Sequence, residues 1–142
     1  MVDALTYAGS VENLPEELTK GSDARLRFWY GNVRNAELMD TLVSQTDAIV
    51  HFAAETHVTR YIYDNLTFFE TDVLGKQIVA NAVVKYQKSI DRFIHISSSE
   101  VYGTARTPFM DEEHAASTTS PTTPSRTSWP GCAASSPRGA PS

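Results

Sequence analysis

Two short apolar runs, DAIVHFAA at 47–54 and RFIHIS at 92–97, flank a long helical pattern, and no other feature constrains the fold as much. Between Asp64 and Lys88 the residues Leu66, Phe69, Val73, Leu74, Ile78, Val79, Ala82 and Val83 recur at three- and four-residue steps. That is the spacing of one helix face. Thr67-x-x-Glu70 near the start of this segment reads as a capping box. A short apolar run such as DAIVHFAA, broken by His51, is the kind of strand buried on both faces of a sheet. Strand, helix and strand in succession predict parallel strands joined by a crossover.

The same alternation continues upstream. A helix ends near Lys20 and is stopped by Gly21; a strand then runs from Arg25 to Tyr30 and is closed by Gly31-Asn32. Asn35 caps a short amphipathic helix from Ala36 to Ser44, with Leu38, Leu42 and Val43 on one face. A further strand precedes Asp3. The order as a whole predicts an α/β fold, a parallel sheet with flanking helices.

The last 28 residues, 115–142, differ in kind: 22 are Ser, Thr, Pro or Ala, and Asp, Glu, Leu, Ile, Val and Phe are absent. Such a segment buries too little apolar surface to offset its ordering entropy, so a disordered C-terminal tail is expected after a body of residues 1–114. With 142 residues the chain suits one domain. Its net charge is −5, or −7 for 1–114 once Arg126 and Arg138 are set aside, which argues against a nucleic acid or an anionic membrane as partner. No apolar run approaches the roughly 20 residues of a membrane span, and MVDALTYAG lacks the pattern of a secretory signal. Cys132 is the single cysteine and forms no internal disulfide. A soluble, cytoplasmic protein is the expectation.

In open parallel sheets ligands bind beyond the carboxyl ends of the strands. Three stretches occupy such places: Asp3, then Ala53-Ala54-Glu55-Thr56-His57, then Ser97-Ser98-Ser99-Glu100. An acidic residue there can accept two ribose hydroxyls, and small residues let a ligand approach the backbone. Ala53 and Ala54 fit close packing of strand on helix equally well. His51, Glu55 and His57 lack the His-Glu-x-x-His spacing, so no metal site is expected. Phe69 and Tyr102 read as packing residues, and Arg60 either holds a phosphate or pairs with Asp64.

DALTYAGSVENL, HFAAETHVTRYI, FFETDVLG and SSSEVYG, in that order, resemble segments of the extended short-chain dehydrogenases that act on nucleotide sugars. Within this NAD-dependent epimerase/dehydratase family the dTDP-glucose 4,6-dehydratases are the nearest match. The resemblance implies a partial Rossmann-like sheet, NAD as cofactor, a nucleotide-sugar substrate and, as in intact members, homodimers. It implies that Asp3 binds the adenosine ribose, that Asn32 and Val33 flank the adenine with Trp29 packed nearby, and that Phe52, Ala53 and Ala54 line the pyrophosphate and nicotinamide side. Ser98 would hydrogen-bond the sugar's 4-hydroxyl, and Glu100 would take the proton from C5. A half-buried strand end can raise a carboxylate's pKa toward the value such a base needs.

Several positions depart from that pattern. Ser99 stands where those dehydratases have an aspartic acid that protonates the departing C6 hydroxyl, and Ser-Ser-Glu is closer to the Thr-Ser-Glu of GDP-mannose dehydratases and UDP-glucuronate decarboxylases. Asn32 stands for Asp, Asp72 for Asn and Lys76 for Thr. Dehydratase, epimerase and decarboxylase chemistry, and the identity of the sugar, therefore stay open.

The family's Gly-x-x-Gly-x-x-Gly fingerprint is not in the sequence, whose glycines are at 9, 21, 31, 75, 103, 131 and 139. MVDALTYAG aligns with the family's second strand. In the strand order 3-2-1-4-5-6 the first strand is central, so without it two half-sheets must close up or expose unpaired edges. The family's Tyr-x-x-x-Lys is not in the sequence either, which is the basis for expecting an out-of-frame tail and a chain without activity. The function classes that remain are an enzyme of this group, a non-catalytic remnant that binds nucleotide or pairs with an intact homologue, and an inactive product.

Overall fold

In chain order the elements are β1 (Val2–Asp3), β2 (Trp29–Tyr30), α1 (Ala36–Val43), β3 (Ala48–His51), α2 (Val58–Tyr63), α3 (Asn65–Phe68), a π-helical turn (Phe69–Gly75), α4 (Lys76–Lys85) and β4 (Arg92–His95). Single 3₁₀ turns lie at Val11–Asn13 and Ser99–Tyr102. The computed structural model describes residues 1–16 and 25–102. The helix end expected near Lys20 and the 115–142 segment lie outside those residues. The chain divides into two units, Met1–Ile96 and Ser97–Ser142.

All strand pairing is parallel, as the crossover pattern requires. β3 and β4 align with Ala48 opposite Arg92 and His51 opposite His95, while β1 and β2 align with Val2 opposite Trp29 and Asp3 opposite Tyr30. The described strands form two separate two-stranded sheets, β1 with β2 and β3 with β4. No described strand joins the two half-sheets. β2 is shorter than the predicted Arg25–Tyr30: the ladder pairs Val2 with Trp29 and Asp3 with Tyr30, and the Met1 N–H donates to the Arg27 carbonyl at 2.8 Å.

α1 forms as expected, with the Asn35 side chain accepting from the Leu38 N–H at 3.1 Å. The segment from Asp64 departs from expectation. Its N-cap is Asp64, whose carboxylate accepts from the Thr67 N–H at 3.1 Å and the Thr67 hydroxyl at 2.7 Å, so Thr67 is a donor within the first turn and no Thr67–Glu70 capping box forms. The helix then widens into the π turn and ends at Lys85, three residues before Lys88.

Val33, Met39 and Val79 are buried together, with Val2, Leu38, Leu42, Ile78, Val83 and Phe93 packed around them. Val2 belongs to β1 and Phe93 to β4, so both half-sheets rest on one layer built from α1 and α4. Lys85 and the Tyr86 hydroxyl both bond the Asp40 carboxylate and tie α4 to α1. Only one face of the β3–β4 sheet is covered. Ile49, His51, Phe93 and His95 are wholly or partly buried on that face, whereas Val50 and Ile94 on the other are exposed. DAIVHFAA is therefore apolar on both sides but buried on one, because the described residues supply a single helix layer. No helix among them is long and apolar enough to cross a membrane.

Candidate functional site

Asp3 ends β1 with an exposed side chain whose Oδ1 accepts from the Leu5 N–H at 2.7 Å. This closes a tight turn that holds Leu5 at φ 47°, the left-handed region that costs a branched side chain about 1 kcal/mol or more. The turn is completed by the Gly9 N–H donating to the Thr6 carbonyl at 2.8 Å. A Cβ on Gly9 would lie 2.6 Å from the Leu5 Cα, so this position needs glycine. The winding leaves the Asp3 carboxylate at the sheet's carboxyl end.

Asn32 lies beside it. The Gly31 N–H donates to the Asp3 carbonyl at 3.0 Å, which extends the β1–β2 ladder to the residue before Asn32. Asn32 Oδ1 accepts from the Arg34 N–H at 2.9 Å and from its Nε–H at 3.3 Å, and Arg34 pairs in turn with Glu70 of the π turn. Val33, the third residue expected here, turns its side chain into the core against Met39 and Val79.

Phe52 and Ala53 follow β3 and are exposed; Ala54 is half-buried and Glu55 buried. The Glu55 N–H donates to Asp72 Oδ1 at 2.8 Å, a buried bond that anchors the loop after β3 to the π turn. π turns inside helices recur at functional sites because they redirect a side chain from the regular helical track. Asp72 and Lys76, noted in the sequence only as departures from a pattern, are both buried here. Below the loop, the His51 and His95 rings stack with centroids 5.2 Å apart. Burial, followed by the positive charges of His95 and Lys76, lowers the His51 pKa to about 4.

A group missed in the sequence lies on the surface. The Arg60 guanidinium sits 4.1 Å from the centre of the Tyr7 ring, and His57 meets the same ring edge-on at 6.4 Å. Arg60 thus stacks on an aromatic ring, a use outside the two weighed for it. Tyr7 belongs to the loop after β1, while His57 and Arg60 belong to the segment after β3. The signal was an exposed aromatic in one strand-end loop and cations in the other. Phe69, expected to pack, is about half exposed, while its neighbour Phe68 is buried.

Ser98, Ser99 and Glu100 fall in the second unit. Ser98 is half-buried, and its carbonyl accepts from the Val101 N–H at 3.3 Å as the 3₁₀ turn Ser99–Tyr102 begins. β4 ends at His95, two residues before the Ser97 expected. Within the first unit, the Gly31 N–H on the Asp3 carbonyl carries the β1–β2 ladder to the residue before Asn32, and Phe52, Ala53 and Ala54 follow one another from β3. Among the described residues no group of three His, Cys, Asp or Glu side chains could hold a metal ion.

Comparison with known proteins adds a family. Residues 1–127 match the family described as GDP-mannose 4,6 dehydratase. A dTDP-glucose 4,6-dehydratase of Streptomyces antibioticus is 41% identical over 103 residues, 72% of this chain and 28% of the relative. A low-salt glycan biosynthesis protein of Haloferax volcanii is 46% identical over 102 residues, covering 72% of this chain and 31% of its own length. Among solved structures, a dTDP-glucose 4,6-dehydratase of Streptomyces venezuelae with NAD and TYD bound superposes with a TM-score of 0.77 at 38% identity, over 88% of this chain and 37% of that one. The chain therefore spans about a third of the length of the relatives it matches.

Proposed function

The chain belongs to the GDP-mannose 4,6 dehydratase family, and from that premise we propose that it is the part of an NAD-dependent nucleotide-sugar 4,6-dehydratase that carries the adenosine side of the cofactor site and the acid–base edge of the sugar site. One observation carries the reading: the exposed Asp3 carboxylate ends β1 at the carboxyl end of a parallel ladder that continues, through the Gly31 N–H on the Asp3 carbonyl, to the residue before Asn32. A carboxylate so placed suits a ribose diol, because one residue can accept from both hydroxyls.

NAD fits these residues on its adenosine side. Asp3 takes the ribose hydroxyls, Asn32 and the backbone at Val33 flank the adenine, and Phe52, Ala53 and Ala54 face the pyrophosphate and nicotinamide side with small or flat surfaces. Bound NAD supplies the acceptor for hydride from the sugar's C4. Ser98 hydrogen-bonds the 4-hydroxyl. Glu100 takes the C5 proton as the C6 hydroxyl departs, eliminating water across C5 and C6. Ser99 is a poor acid for that hydroxyl, which favours a related outcome, epimerisation or decarboxylation, as the second reading. Residues 1–114 carry all of these groups.

The test is calorimetric titration of the 142-residue chain with NAD, paired with an assay for NADH on nucleotide sugars. The expected result is weak binding that Asp3→Ala weakens about tenfold, the worth of a charge-assisted hydrogen-bond pair. No turnover is expected, since the sequence contains no Tyr-x-x-x-Lys. NAD binding indifferent to Asp3→Ala and Asn32→Ala would sink the assignment.

A further inference from the structure

Asp3 stands where the loop after β1 begins, and Ala53-Ala54 stand in the segment after β3, so the two ends of the proposed cofactor site lie on different loops. Among the described residues no ladder joins β1 to β3. The spacing of the two loops therefore depends on other contacts, and a ligand that must touch both is sensitive to it.

Tyr7 and Arg60 make a contact of the required kind. The Arg60 guanidinium lies 4.1 Å from the centre of the Tyr7 ring, and the His57 ring approaches the same ring at 6.4 Å with its plane turned by 76°. Tyr7 is 50% exposed, so its orientation owes little to packing in the core. Each partner is held at its base. On one side the Asp3 carboxylate accepts from the Leu5 N–H, Leu5 sits at φ 47°, and Gly9 leaves no room for a Cβ, which sets the course of the chain on both sides of Tyr7. On the other side the Arg60 N–H donates to the His57 carbonyl at 2.9 Å, and the Glu55 N–H donates to the buried Asp72. A cation stacked on a ring between two segments fixed in this way ties one to the other.

We propose that Tyr7 and Arg60 are positioning residues of the cofactor site: their stacking holds the loop after β1 at a set distance from the segment after β3, so that one dinucleotide reaches Asp3 and Ala53-Ala54 together. The inference rests on the reading of NAD across these loops and goes beyond it by naming what sets the span. Adenosine is the informative contrast. Its ribose diol and base meet Asp3 and Asn32 and stop short of the second loop, and the Asp3–Leu5 bond keeps that carboxylate in place whether or not the loops are tied.

The experiment is a pair of NMR titrations of the 142-residue chain, one with NAD and one with adenosine, on the parent and on Tyr7→Phe, Tyr7→Leu, Arg60→Gln and the Tyr7→Leu/Arg60→Gln double variant. Tyr7→Leu and Arg60→Gln should each weaken NAD about two- to fivefold, the worth of an exposed cation–π contact. Tyr7→Phe, which keeps the ring, should match the parent, and the double variant should lose no more than either single one. Adenosine affinity should be the same throughout. NAD affinity unmoved by Tyr7→Leu overturns the proposal. So does a parallel loss of adenosine, because the pair then only supports the turn that carries Asp3. Losses that add in the double variant also overturn it, since each side chain then acts alone. NAD binding that falls with Asp3→Ala but not with Tyr7→Leu sinks this inference and leaves the cofactor assignment; a fall with Tyr7→Leu and Arg60→Gln but not with Asp3→Ala or Asn32→Ala does the reverse. A parent chain that binds no NAD overturns both.

Discussion

His51 is a buried imidazole stacked on His95, and its protonation should set the acid limit of the fold. His95 of β4 and Lys76 of α4 face it, and with burial they lower its pKa from 6.5 to about 4. Between those values the unfolded chain binds a proton that the folded chain refuses, so stability rises with pH across this window. It is lost as pH falls from 6.5 toward 4 and changes little further below. The shift corresponds to about 3 kcal/mol at most. Urea unfolding of the parent chain should show its midpoint fall steeply from pH 7 to 4.5, whereas His51→Gln should flatten that slope. An unchanged slope in the variant would remove His51 as the cause. The sequence marked His51 as an interruption of an apolar run and as a metal ligand to be set aside; its stacking on His95 was not legible because it depends on the β3–β4 register.

At the scale of elements, local chemistry was legible and geometry set by distant partners was not. Asn35 and the helix after it were plain, since the cap and the apolar stripe lie within a few residues. Asp64 and Thr67 are both good cap types three residues apart, and the tertiary entry angle decided between them. The π turn was hidden because steps of three and four residues look alike in either helix. α2 was missed because Val-Thr-Arg-Tyr-Ile-Tyr is rich in β-branched and aromatic residues that favour strands. Gly75 ends the π turn against Val33, where a Cβ would stand 2.6 Å from Val33 Cγ2. Gly75→Ala should cost about 1–3 kcal/mol by overpacking. If that contact is the cause, the loss in urea unfolding should shrink when Val33→Ala is combined with it. Simple additivity would point to the backbone instead.

For the whole molecule, parallel α/β architecture was legible from the alternation of apolar runs and helical stripes, whereas the choice between closed and separate half-sheets was not. What could not be read was how the halves stay together. With no ladder between them, β1–β2 and β3–β4 are coupled among the described residues chiefly through the layer of α1 and α4, with Val33, Met39 and Val79 against Val2 and Phe93, and also by Arg60 and His57 on Tyr7. Met39→Ala should then do more than open a cavity costing about 2 kcal/mol or more. It should uncouple the halves. In native-state hydrogen exchange the Trp29 and Gly31 amides, which bond β1, should open at lower denaturant than the Ile96 amide, which bonds β3, although both open together in the parent chain. The two-residue β1–β2 ladder is the weaker half, with fewer bonds to lose. Equal opening in the variant would show that another contact, such as Arg60 and His57 on Tyr7, suffices to join the sheets.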